Sequence, residues 1–94
     1  MTDIIGDPQF ALGDISITEG AHQLIEGGLL VQLYIDRHWR GDWGDLDEED
    51  KIANEDAIFN GSRILSCYDT AAGKILIITD ADRSTTTVLT PDEY

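Results

Sequence analysis

The chain has little of what builds a cofactor site. Its 94 residues include one cysteine, two histidines and two prolines. The lone Cys67 closes no disulfide within the chain and cannot by itself hold a structural zinc. His22 and His38 lie far apart, without cysteine partners at zinc-ligand spacing. No apolar run approaches the ~18 residues that a membrane-spanning helix needs. The start, Met1-Thr2-Asp3, lacks the basic residues and long apolar stretch of a secretory signal, so the expected compartment is the cytoplasm. Internal repeats, low-complexity tracts and Pro- or Ser-rich linkers are also missing.

Positive charge is the scarcest resource. Six Lys and Arg face nineteen Asp and Glu, for a formal net charge of −13. That balance repels nucleic-acid phosphates and anionic membranes, so direct binding to DNA, RNA or a membrane surface is not expected. It favours cationic partners, which are often themselves nucleic-acid-binding proteins.

What remains is enough for a folded domain. The 41% hydrophobic fraction exceeds that of chains kept disordered by charge. One domain over 1–94 is expected, able to bury roughly 60–65% of its unfolded surface. Residues 1–9 read as a loose lead-in, 10–60 as a strand followed by helices, and 61–94 as a β-meander.

Residues 10–17 predict a strand carrying Leu12, Ile15 and Ile17. Thr18 is placed to cap a helix over Glu19–Glu26, closed by Gly27-Gly28. Residues 29–39 predict a second helix from Leu29, Leu30, Leu33 and Asp36-Arg37, although β-branched Val31 and Ile35 lean towards a strand. Residues 41–45 form a loop. Asp45 is placed to cap a third helix over 46–59. Ile52 and Phe59 share one face of it, and Leu46, Ala53 and Ala57 a neighbouring one. Asn60-Gly61 ends it. Strands follow at 63–69, 74–79 and 84–89, with turns at 71–73 and 80–83. The expected class is α+β: an antiparallel sheet, made of one N-terminal strand plus a C-terminal three-stranded meander, with about three helices on one face. The unbroken run Ile75-Leu76-Ile77-Ile78 predicts a strand covered on both faces, and a second copy of the chain is the expected cover for the outer one.

One segment concentrates the acidity. Nine carboxylates fall between Asp36 and Asp56, answered only by Arg37, Arg40 and Lys51. Like charges repel and raise the energy of a compact state. Asp45 has a structural reason in capping, and Asp47, Glu48 and Glu49 are favoured in a first helical turn by the helix dipole. Asp42, Asp50, Glu55 and Asp56 have no such local reason in the sequence. The block is therefore either a solvated face or a surface for a basic partner, with carboxylates along a rigid helix imitating a row of phosphates. A calcium loop opening at Asp45, Asp47 and Glu49 fails on Asp50, where the sharp turn needs glycine, and on Asp56, where the closing ligand should be Glu. No metal and no cofactor is expected.

Trp39 and Trp43 flank the loop, and each suits either a core plug or a binding anchor. His38 lies near Asp36, but a catalytic histidine needs a nucleophile and an orienting carboxylate whose placement spacing does not reveal. Ser66-Cys67 falls within a strand, where Cys67 reads as a small buried residue. Gly41 and Gly44 sit among aspartates that would repel phosphate. Arg83 is expected to pair with an aspartate of its own turn and pin the hairpin. No enzymatic role is expected; a hydrolase using His38 with an acidic residue is the weakest alternative.

Several motifs occur in order: Arg37-His38, Gly41-Asp42-Trp43-Gly44-Asp45, Glu48-Glu49-Asp50, Asn54, Gly61-Ser62-Arg63-Ile64-Leu65-Ser66, Tyr68, Ile78-Thr79-Asp80-Ala81-Asp82-Arg83-Ser84, Thr86-Thr87 and Pro91-Asp92-Glu93-Tyr94. Over residues 10–94 this pattern resembles a family of small acidic proteins of bacterial plasmids, phages and integrated elements. Some of its members carry labels borrowed from type I restriction systems, although this chain is far too short for a methyltransferase or nuclease subunit. Trp39-Arg40 departs from the short polar residues expected there. The resemblance implies an accessory protein of a mobile element. Together with the charge, it leads to a non-enzymatic inhibitor of a host defence complex, anti-CRISPR or antirestriction. That inhibitor would meet a basic nucleic-acid-binding surface through Asp42, Asp45, Asp47, Glu48, Glu49, Asp50, Glu55, Asp56, Trp39 and Trp43. The alternative is an accessory or regulatory protein-binding module of the element with no defence role.

Overall fold

The computed structural model describes residues 7–94; most of the expected lead-in, residues 1–6, lies outside them. The elements run β1 (Asp14–Ile17), α1 (Glu19–Glu26), α2 (Val31–Trp39), α3 (Glu48–Asn60), β2 (Ile64–Thr70), β3 (Gly73–Thr79) and β4 (Thr85–Leu89). A 3-10 turn over Pro91–Glu93 follows. The class is α+β, with three helices and a four-stranded sheet among the described residues.

The strand order is β1-β4-β3-β2. β2, β3 and β4 form the expected antiparallel meander, but β1 joins β4 in parallel, so the sheet is mixed. Short turns dictate antiparallel neighbours only within the meander. More than forty residues separate β1 from β2, so hairpin geometry does not fix the direction of β1. The outer edge of β2 is already occupied, which leaves β1 the edge of β4.

The expected N-terminal strand shortens to its last four residues. Gly13 precedes it at φ 65°, and a Cβ there would collide with the backbone of Arg83 and Ser84. Phe10 and Leu12 instead lend their carbonyls to the indole of Trp39 and the hydroxyl of Thr86. Thr18 caps α1, accepting from the Ala21 amide at 3.2 Å. Glu93 closes the C-terminus onto the same helix start: its carboxylate accepts from the Thr18 hydroxyl at 2.6 Å and the Gly20 amide at 3.0 Å. These bonds, that from Thr18 foremost, hold the Glu93 pKa down to about 2.

α1 and α2 cover one face of the sheet. Ala21, Leu29 and Ile35 pack there against Tyr68, Ile75, Ile77 and Val88. α2 turns the opposite way from the face that its leucines suggested. Ile35 and His38 point inward, while Leu30 and Leu33 are exposed. On the other face of the sheet, Leu76, Ile78 and Leu89 form their own cluster, flanked by Leu65 and Cys67. The chain itself leaves these three only 7–9% exposed, which removes the ground on which a second copy was expected.

α3 lies along the outer edge of β2. Asp47, not Asp45, is its N-cap, accepting from the Asp50 amide at 2.9 Å. Asp45 is unavailable as a cap because its own amide donates to the Cys67 carbonyl at 2.7 Å, which keeps it beside β2. Gly61 ends the helix in the left-handed region, at φ 78°.

Candidate functional site

The acidic segment wraps the exposed edge of β2, and much of its chemistry is spent there. Alternate residues of an edge strand turn their backbone groups outward. On β2 these are Leu65, Cys67 and Asp69. The Asn54 side chain bonds both groups of Leu65. The Cys67 amide donates to Trp43, and its carbonyl accepts from Asp45. The Asp69 amide donates to the Asp45 carboxylate at 2.8 Å. Gly44 makes this approach feasible: at φ 79°, any Cβ would collide with the Cys67 carbonyl and the Tyr68 ring.

This arrangement sorts the acids by task. Asp42 accepts from Arg37 Nε at 2.7 Å and from the Gly44 amide at 3.2 Å. The guanidinium foremost holds the Asp42 carboxyl below its ordinary range and raises Arg37 in turn. Arg37 also lies over the Tyr68 ring, 4.8 Å from its centroid. Asp36 accepts from Arg40. Asp45 seals the sheet edge and Asp47 caps α3. Glu55 accepts the indole N–H of Trp43 at 2.7 Å. Asp42 and Glu55 thus have local structural reasons that the sequence did not disclose.

Four acids of the block remain largely free. Among the described residues the side chains of Glu49, Asp50 and Asp56 take part in no hydrogen bond or ion pair, and that of Glu48 has only Lys51 at 3.7 Å. An exposed pair of that kind contributes about 0–1 kcal/mol. All four sit on α3 and face solvent.

The tryptophans part company. Trp43 is 4% exposed and packs with Ala57 and Ile64 as a core plug. Trp39 is half-buried, its indole N–H donating to the Phe10 carbonyl at 2.9 Å, with the Arg40 guanidinium over its ring. Neither stands as an exposed neighbour of the free acids.

α3 has a further property: Ile58 packs inward against the Trp43 cluster, but the other two large apolar residues of the helix point outward. Phe59 is 88% exposed and Ile52 is 59% exposed, while the buried positions are Asn54 and Ala57. Burying a side chain of this size is worth about 1.5–3 kcal/mol. The fold leaves that stabilisation unrealised twice on one helix face. Ile52 and Phe59 did share a face, as expected, but it is the outer one.

His38 lies at the opposite extreme, fully buried. Nδ1 is 2.5 Å from Ser66 Oγ, and Nε2 is 2.9 Å from Thr79 Oγ1. Thr79 is bonded to Thr86 at 2.7 Å, and Thr86 donates to the Leu12 carbonyl at 2.7 Å. A carbonyl only accepts, so the direction of the whole chain is fixed. Thr86 gives its proton to Leu12, Thr79 to Thr86, and His38 Nε2–H to Thr79. Nδ1 then accepts from Ser66. Burial pushes the imidazole pKa down to about 3, so it is neutral near pH 7. Ser66 and His38 have the spacing of a nucleophile and its base, but both are closed to solvent, and His38 bonds no carboxylate. The polar chain binds α2 to β2, β3 and β4.

Cys67 is half-buried, and burial raises its thiol pKa. Arg83 bonds no aspartate side chain; within its own turn its guanidinium donates to the carbonyls of Asp80 at 3.1 Å and Ala81 at 3.3 Å. It also donates to the carbonyls of Ser62 at 2.7 Å and Ala57 at 2.7 Å, fastening the β3–β4 turn to the end of α3. The Asp82 carboxylate instead accepts from Ser84. Among the described residues no His, Cys, Asp and Glu cluster is arranged to hold a metal, and no helix is long and apolar enough to cross a membrane.

No family model, curated protein or solved structure matches this chain.

Proposed function

We propose that the protein is a non-enzymatic acidic inhibitor carried by a mobile genetic element. It blocks a host defence complex, anti-CRISPR or antirestriction, by occupying a basic nucleic-acid-binding surface. The observation that carries this reading is the division of labour within the acidic block. Glu48, Glu49, Asp50 and Asp56 stand on the solvent side of α3, while their neighbours hold the fold together. The first-turn position accounts for Glu48, Glu49 and Asp50 in part, through the helix dipole. Asp56 lies in the second half of the helix, where the dipole gives no such reward. Carboxylates on a rigid helix present charge at fixed spacings, which speeds encounter with a cationic groove and deters wrong partners. The resemblance to mobile-element proteins points to defence nucleases as owners of that groove.

The test is protection. Cells carrying an active CRISPR or restriction system are challenged with plasmid or phage, with and without the protein. The reversals Glu48→Lys, Glu49→Lys and Asp56→Lys together should abolish protection without unfolding the chain. Undiminished protection by the reversed protein would refute the reading.

A further inference from the structure

We propose that α3 is the recognition element itself: it lies in a protein groove with an apolar floor and a rim of Lys and Arg, with Phe59 and Ile52 as its anchors. This rests on the acidic-surface reading above and gives that partner a shape. Three observations carry it.

First, the helix turns two large apolar side chains outward. Phe59 and Ile52 face water, while Asn54, Ala57 and the half-buried Ile58 face the fold. Second, the anchors are spaced for a groove. Seven residues separate them, about two turns or roughly 10 Å along the axis, which places both on one line of the helix. Third, the flanks are charged. Glu48 lies one turn before Ile52, and Asp56 lies between the two anchors, four residues after Ile52 and three before Phe59. An apolar line bordered by free carboxylates is complementary to an apolar floor bordered by cations.

The same charges argue against other occupants. Two copies pairing through this face in antiparallel fashion would bring Glu55 and Asp56 of each chain together at the centre. Nucleic acid and anionic lipid offer phosphates, which these carboxylates repel.

The experiment uses the full chain, immobilised, with a lysate of host cells containing active CRISPR and restriction complexes as the probe. Four baits are compared at low and high salt: the unmodified chain, Phe59→Ser, Ile52→Ser and the triple reversal of Glu48, Glu49 and Asp56 to Lys. Any retained chain is identified by mass spectrometry, purified and titrated against each bait. Unfolding melts check that the exposed substitutions leave the fold intact. The expected result is a net-positive polypeptide whose affinity falls about 30-fold or more with Phe59→Ser, and falls clearly with Ile52→Ser and with the reversal. Binding lost on charge reversal but unchanged by Phe59→Ser and Ile52→Ser overturns the helix-in-groove proposal and leaves the acidic-surface reading standing. A bait that sediments as a dimer, and becomes monomeric with Phe59→Ser, also overturns the proposal by assigning the face to a second copy. No retained chain at either salt overturns both.

Discussion

Asn54 on α3 replaces a missing neighbour of β2: its side-chain amide donates to the Leu65 carbonyl at 2.6 Å and accepts from the Leu65 amide at 3.2 Å. A primary amide is the one side chain that reproduces both halves of a peptide group. Asn54→Ala leaves both backbone groups without their partner at a buried site. A loss of about 2–3 kcal/mol in urea unfolding is expected. Asn54→Asp should do no better, because it removes the donor and sets a carboxylate against a carbonyl. Hydrogen exchange at the Leu65 amide should accelerate in both variants.

Glu55 and Asp56 are adjacent acids with different duties. Glu55 holds the Trp43 indole, whereas the Asp56 carboxylate has no partner among the described residues. Glu55→Lys should destabilise by about 1–3 kcal/mol, since the buried indole loses a charged acceptor. Asp56→Lys should stay within about 0.5 kcal/mol of the unmodified chain. Equal melting temperatures for the two variants would contradict the assignment of Glu55 to the fold.

Acid should unfold the protein through His38 before most carboxylates titrate. Its folded pKa lies near 3, below the ordinary 6.5. Between those values the unfolded chain binds a proton that the folded chain refuses, so stability falls as the pH drops. The slope from this group approaches about 1.4 kcal/mol per pH unit well inside the window. Glu93 adds to the loss at lower pH, because its folded pKa is depressed to about 2 and its stabilising contribution disappears as the carboxyl becomes protonated. Urea midpoints measured from pH 7 to pH 4.5 should therefore fall steadily, and His38→Gln should flatten that fall despite a lower starting stability. Nitrogen NMR of His38 should show a protonated Nε2 and a bare Nδ1.

Arg83 is the only non-glycine among the described residues with a positive φ, at 62°. Its guanidinium offsets that conformation by bonding the carbonyls of Ser62 and Ala57. Arg83→Ala keeps the backbone strain and loses the bonds, and should cost about 2 kcal/mol or more. Arg83→Gly loses the same bonds but relaxes the left-handed turn, and should melt above the alanine variant by an amount worth about 1 kcal/mol.

The local elements were legible because their signals are local. Thr18 before Glu19 and Gly61 after Asn60 mark helix ends through backbone geometry alone. The meander followed from short apolar and threonine-rich runs separated by short turns. The faces of α2 and α3 were not legible. Leu30 and Leu33 look like core and are exposed, while His38, whose surroundings spacing does not reveal, is central. Inward choice depends on partners distant in sequence: His38 is satisfied by Ser66 and Thr79, which lie 28 and 41 residues away. The same holds for the acids. Asp47 at a helix start is readable, but the roles of Asp45 and Glu55 depend on β2 lying beside the loop and on Trp43 turning towards α3. A rule that could have flagged Asn54 is the presence of a two-sided amide among the buried positions of a helix otherwise rich in charge.

The covered edge of β2 also limits how copies of this chain can associate through their sheets. Filament growth by strand addition requires two open sides, one to receive a neighbour and one to offer. Here Asn54, Trp43 and Asp45 close one side, so among the described strands only β1 has an open side. Two molecules meeting there would finish as a closed pair, with no free border left to recruit a third. The loop that carries much of the chain's charge thus also guards it against fibril formation.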